Sequence, residues 1–167
     1  FINHSLSNPL FDTIMPIFEK KWFYVLIALL WIYLCIKDKK NRFSLLVILP
    51  TALILTDQTG RFIKGLELWD RPWFELKELI NHLGSTRGQH FSFPSNHAAN
   101  VTASMLILGS VYGRIKFFFA IAITVIFSRI YIGVHYPVDT LVGASIGGFY
   151  GYGIIYISNW YSIQQQN

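Results

Sequence analysis

Apolar residues in this chain come in long stretches separated by short charged loops, and that layout restricts the fold more than any other feature. Four stretches carry most of it, Trp22–Ile36, Phe43–Thr56, Ala98–Tyr112 and Phe117–Val134, and a fifth, glycine-rich one runs from Pro137 to about Trp160. Hydrophobic residues make up 53% of the 167 and charged residues 14%, more apolar surface than one soluble core of this length can absorb. A helix needs about 20 apolar residues to cross a bilayer, so the shorter stretches must draw on flanking residues. The expected fold is all-α: a polytopic membrane helix bundle of about five transmembrane helices, forming a single domain over residues 1–167.

Basic residues in the loops orient the bundle. Lys37-Asp38-Lys39-Lys40-Asn41-Arg42 holds four cations against one anion, and Arg114 and Lys116 fall on the same side. The opposite side balances Lys64, Arg71, Lys77 and Arg87 against Glu67, Asp70, Glu75 and Glu78. The positive-inside rule puts the first two loops in the cytoplasm and residues 64–97 at the periplasmic or exterior face of a cell (inner) membrane. The net charge of +5 is mostly topology, with no basic helix or basic-aromatic run to mark a nucleic-acid surface.

Residues 1–21 lack the charged-then-apolar order of a signal peptide. Asn8-Pro9 is a helix-start pair, and Phe11, Ile14, Met15 and Phe18 share a face, which predicts an N-terminal interfacial helix or an extension of the first span. Leu76, Leu79, Ile80 and Leu83 form a stripe opposite Glu75, Lys77 and Glu78, which predicts a short amphipathic helix in the outer loop, with Trp69 and Trp73 as interfacial anchors and a role as lid or as support. Gly143, Gly147 and Gly151 recur every four residues, a spacing that lets helices approach closely, inside the bundle by default or at a dimer face; the oligomeric state stays open. Cys35 is the only cysteine, which excludes an internal disulfide and a thiolate metal cluster.

Three separated pieces then collect charge and imidazole at the mouths of the apolar segments. They are Lys64 followed by Arg71-Pro72, Pro94-Ser95-Asn96-His97, and Ser128-Arg129 followed by His135 and Asp139. Pro137 suits a first helical position, which puts Asp139 in the first turn with His135 just ahead of it. The carboxylate can hold one imidazole nitrogen and leave the other as a nucleophile of fixed tautomer, although a plain His–Asp helix cap has the same spacing. Ser95 is a natural cap whose following amides form an anion site, or else the start of an ordinary capped helix. Lys64, Arg71 and Arg129 are cations at membrane depth, functional candidates by default, with snorkelling to the headgroups as the simpler account of Lys64. Asp57 and Arg61, four apart, are expected to pair as a structural unit. His4, His82 and His90 lie outside these pieces and lack the spacing of a zinc set.

The three pieces resemble the signature of the type 2 phosphatidic acid phosphatase (PAP2) superfamily, with every internal spacing met and Asn96 standing where glycine is usual. The resemblance implies that His135 attacks phosphorus to form a phosphohistidine and that Asp139 orients it. It implies that His97 protonates the leaving oxygen and then activates water, while Ser95, the Asn96 amide, Lys64, Arg71 and Arg129 bind phosphate. No metal and no cofactor are expected, and the expected partners are a membrane lipid phosphate and the phospholipid bilayer. Soluble vanadium haloperoxidases share the signature but not the apolar segments. An inactive lipid-binding or transport protein of the same fold is the non-enzyme alternative, and the intact set of site residues counts against it. Among substrates, lipid A 1-phosphate is favoured from the Phe93-Pro94-Ser95-Asn96-His97-Ala98 stretch and the minimal loops, with undecaprenyl diphosphate and phosphatidylglycerophosphate as alternatives.

Overall fold

A computed structural model describes residues 2–86 and 88–164, and their side chains apart from those of His4 and residues 159–164. Arg87, counted above among the loop cations, falls outside the described residues. Among them there is no β-strand, so the all-helical expectation holds.

Helix α1 (Pro9–Ile14) is started by Asn8, whose side-chain oxygen accepts from the Phe11 amide at 3.0 Å. A tighter turn over Met15–Glu19 and an extended Lys20 lead into α2 (Lys21–Lys37). Arg42 reaches back to the carbonyls of Cys35 and Ile36 at 2.9 and 3.0 Å, and so closes the last turn of α2. Helix α3 (Ser44–Lys64) begins with a π-helical turn and carries on past Thr56 through two polar turns that the apolar pattern had not included. Arg61 pays for that extension by pairing with Asp57 at 2.7 Å, as their spacing predicted. Helices α4 (Asn96–Tyr112), α5 (Ile115–Tyr131) and α6 (Pro137–Gln164) complete the bundle, with Gly113 at φ +65 ending α4 in the left-handed conformation.

Ser44–Lys64 and Pro137–Ser158 are long and apolar enough to cross a membrane. The other three long helices have 17 residues each, roughly 25 Å of rise against a hydrocarbon core of about 30 Å.

Packing runs opposite to that of a soluble bundle. Ala98, Ala99 and Ala103 are buried while Phe119, Phe149 and Tyr152 face outward. The glycine stripe of α6 lies on α4: a Cβ at Gly143 would collide with the Ser95 carbonyl, and one at Gly147 with that of Ala99. This close approach brings the N-termini of α4 and α6 side by side, and the Ser95 amide donates to the Asp139 carbonyl at 3.0 Å.

One expectation about the outer side needs correction. Residues 72–83 do not form an amphipathic helix. Pro72–Glu75 and Lys77–Leu79 are single turns, because the backbone here is strung between tertiary partners: Trp73 N donates to Gly133 O and Leu83 N to Ile132 O, each at 3.2 Å, and Asn81 N to Asn3 Oδ1 at 2.7 Å. The N-terminal segment docks on the end of α5. Met15 is buried against Tyr131, Ile132 and Val134, with Phe11, Phe18, Trp73 and Leu83 around them. The Asn3 side chain donates to the carbonyls of Asn81 and Tyr131, and the Tyr131 hydroxyl donates to Asp12 at 2.5 Å. Trp73 thus belongs to an interior cluster that supports the segment leading to His135.

Candidate active site

The bundle gathers all three sequence pieces at one end. Lys64 closes α3, His97 opens α4, Arg129 lies near the end of α5, and Asp139 opens α6. Arg71 sits in the loop between α3 and α4.

Asp139 is fully buried and His135 is 3% exposed. The His135 Nδ1 lies 3.3 Å from Asp139 Oδ2, which also accepts from the Ser92 hydroxyl at 2.6 Å and the Tyr136 amide at 2.9 Å. The second carboxylate oxygen, Oδ1, accepts from the indole of Trp69 at 3.0 Å. Two oxygens with four neighbours leave the carboxylate little freedom to turn, so the imidazole facing it keeps its proton on Nδ1 and its lone pair on Nε2. Burial pushes the His135 imidazole down to about 4 against the pull of the Asp139 hydrogen bond, and the Arg71 cation lowers it further. The ring is therefore neutral at pH 7, the form in which a nitrogen can attack.

The cations hold the loops together as well as charging the site. Lys64 Nζ donates to the carbonyls of Phe91, Ser92 and Pro94 at 3.0, 3.2 and 2.6 Å, one for each ammonium proton. It fastens the segment before α4 while keeping its charge in place. Arg71 donates from Nε to Gly88 O at 2.7 Å and from Nη1 to Val134 O at 3.4 Å, which links the outer loop to the residue before His135. Burial draws Arg71 below its ordinary range, and the carboxylates of Glu19 and Asp139 oppose that. Arg129 is 1% exposed, and its Nε and Nη2 meet the Ser128 hydroxyl at 3.2 Å, with no ion pair to it among the described residues. A buried guanidinium without a carboxylate partner leaves positive potential available to an anion.

Ser95 caps α4 as expected, its hydroxyl 3.4 Å from the Ala98 amide, and is fully buried. Its oxygen accepts in that cap, which leaves the hydroxyl proton to donate to a phosphate oxygen. Asn96 is the first residue of α4 and points its side chain at α3, donating to Asp57 at 2.9 Å. Its backbone is helical, so the conformational freedom of the usual glycine is not required. His97 is exposed, and Lys64, Arg71, Arg129 and the His135 ring all lie within electrostatic range of it.

Sequence reasoning missed four residues. Trp69 and Ser92 bind Asp139, Glu19 accepts from the Ser85 amide at 3.1 Å while acting on Arg71 and Arg129, and the Tyr24 hydroxyl lies 2.6 Å from His97 Nε2. Trp69 and Ser92 had a signal, since each lies within five residues of a motif; Glu19 and Tyr24 come from a segment remote in sequence. Of the remaining histidines, His90 pairs with Asp70 at 3.1 Å, the His82 ring lies tilted against Trp73 with centroids 4.9 Å apart, and the His4 side chain falls outside the described ones.

A helix bundle with an oriented imidazole facing a nest of cations has the parts of an enzyme that transfers phosphoryl groups through its own side chain. A family model for the PAP2 superfamily matches residues 44–163. The chain belongs to that superfamily and is a phosphoric ester hydrolase of its type. It is 28% identical over 165 residues to the lipid A 4'-phosphatase of Bacteroides thetaiotaomicron, covering 93% of this chain and 73% of that protein. It is 25% identical over 158 residues to the lipid A 4'-phosphatase of Porphyromonas gingivalis, covering 89% of this chain and 66% of that one. The crystal structure of Aquifex aeolicus LpxE superposes with a TM-score of 0.75 at 28% identity, covering 92% of this chain and 90% of that chain.

Proposed function

We propose that this protein removes a phosphate from lipid A at a multi-pass membrane site, and that the 4' position is its target. The observation that carries the chemistry is the buried His135–Asp139 pair, 3.3 Å apart, among Lys64, Arg71 and Arg129. The names of the two relatives aligned over most of the chain supply the lipid and favour the 4' phosphate over the 1-phosphate favoured by the sequence alone.

The reaction follows from the placement. The Nε2 lone pair of His135 attacks phosphorus, the ester P–O bond breaks with its electrons going to the leaving oxygen, and His97 gives that oxygen a proton. Water then attacks the phosphohistidine, His97 takes a proton from it, the P–N bond breaks, and inorganic phosphate leaves. Arg71, Arg129, Lys64 and the amides at the start of α4 stabilise the charge on the equatorial oxygens. All five long helices cross the bilayer, the 17-residue ones by using interfacial residues at their ends. The basic loop at Lys37–Arg42 faces the cytoplasm, so the site opens on the periplasmic or exterior side.

The test is turnover by purified protein in detergent, with a chelator present, on lipid A carrying phosphates at both positions. Release of the 4' phosphate supports the reading. Release of the 1-phosphate alone would correct the position, and turnover confined to isoprenoid or glycerol phosphates, or strictly dependent on added divalent metal, would overturn it.

A further inference from the structure

The family match begins at residue 44, yet a side chain from α2, well before it, reaches His97. Tyr24 lies in the first turns of α2 and is half exposed, and its hydroxyl is 2.6 Å from His97 Nε2 and 3.0 Å from the Phe18 carbonyl. A phenol carries one proton, and the carbonyl can only accept, so that proton goes to Phe18. The phenol oxygen is then an acceptor for His97, which must carry a proton on Nε2. Phe18 lies in the turn that Met15 fastens against Tyr131, and the Phe23 ring packs edge-on against Phe18 at 5.4 Å, so the acceptor has a fixed base. Elsewhere α2 leans on the turns next to it in sequence, and its Trp31 packs on the cluster of Ile48, Leu49, Ala52, Ala103 and Ile107.

The arrangement mirrors that of the other imidazole. Asp139 accepts from Nδ1 of His135 and leaves Nε2 to react, whereas Tyr24 accepts from Nε2 of His97 and leaves Nδ1 to exchange protons. We propose that Tyr24 is the positioning residue of His97, fixing the ring and its tautomer for proton transfer to the leaving oxygen and from the attacking water. The inference rests on the proposed function, because it assigns a task to the proton donor of that reaction.

Tyr24→Phe removes one oxygen and keeps the ring, so the full chain can be compared directly with wild type in detergent. Turnover of the lipid phosphate, whose leaving group is a poorly stabilised alkoxide, should fall about tenfold with KM within about twofold of wild type. The basic limb of the pH profile should move to lower pH, since loss of an acceptor disfavours the protonated ring. In the burst of p-nitrophenol release from p-nitrophenyl phosphate, which reads only the first half-reaction and whose leaving group needs no proton, the loss should shrink to less than about twofold. Equal losses on both substrates with an unmoved pH profile would make Tyr24 merely structural and overturn the proposal, as would unchanged lipid turnover. A wild-type protein inactive on both substrates would sink the proposed function itself, and this inference with it, a result distinct from the other two.

Discussion

The two imidazoles of this site are held in opposite surroundings. His135 is 3% exposed and faces a carboxylate fixed by Ser92, Trp69 and the Tyr136 amide. His97 is exposed, sits on the first turn of α4, and is engaged by one half-exposed phenol from a peripheral helix. The difference matches what the proposed reaction asks of each. A nucleophile works from one direction and gains from a rigid, dry setting that keeps it neutral. A group that gives a proton to a leaving alcohol and then takes one from water has to meet both, and must sit where they arrive. The fold encloses the first and leaves the second exposed.

If that division is right, the largest effect belongs to the buried end. His135→Ala should lower turnover by about 10⁴-fold or more on any leaving group, because no other nucleophile is aligned with phosphorus. Labelled phosphate trapped on wild-type protein as an acid-labile adduct, and absent from the variant, checks the covalent route. Substantial hydrolysis by the variant would mean that water attacks directly. The exposed end should behave differently: His97→Gln should cost about 10³-fold on the lipid but far less in the burst of p-nitrophenol release, where only the first half-reaction is read. A burst lost as completely as in His135→Ala would erase the distinction between the two ends.

Stability against pH offers a smaller measure of the same contrast. His135 stays neutral in the fold down to about 4, while an unfolded chain takes up a proton near 6.5. Its contribution is therefore complete above about pH 6.5 and is lost as pH falls through about 4, up to about 3 kcal/mol in all. Unfolding of wild type and His135→Gln across that range should show the wild type losing stability more steeply on acidification. Parallel curves would mean that the ring is solvated.

Apolar runs made the helix count and the all-α class legible, because a bilayer-length run admits few other folds. The three motifs identified the charged residues at the site because their chemistry is local: a cap, a first-turn carboxylate, a cation at a helix end. What stayed hidden depends on tertiary closure. Nothing in the neighbourhood of Tyr24 or Glu19 distinguishes them from other polar groups beside an apolar run, and they join the site only once residues 2–19 pack on the end of α5. The stripe from Leu76 to Leu83 has helical spacing, but hydrogen bonds to Gly133, Ile132 and Asn3 hold the chain out of a helix. Periodicity cannot register such competition.

Asn96 shows how a departure from a family pattern is absorbed, and it yields the smallest predicted effect. Its amide group occupies a notch in α3 left by Gly60: a Cβ at Gly60 would collide with Asn96 Oδ1, while Asn96 Nδ2 donates to Asp57 at 2.9 Å and Asp57 holds Arg61 at 2.7 Å. Each residue therefore constrains the other across the α3–α4 contact. Gly60→Ala, normally stabilising by up to about 1 kcal/mol in a helix interior, should here destabilise, because the Asp57 bond prevents the Asn96 side chain from swinging aside. Asn96→Gly should cost about 1 kcal/mol through the lost hydrogen bond and the added backbone freedom, with turnover within about threefold of wild type, since its side chain is engaged with α3 and its main-chain amide is kept. Combined, the two substitutions should be less harmful than their sum by at least about 1 kcal/mol, the alanine methyl filling the space the asparagine vacates. Simple additivity in denaturant unfolding would show that the notch does not hold the side chain, and a large loss of turnover in Asn96→Gly would place that side chain in the chemistry after all.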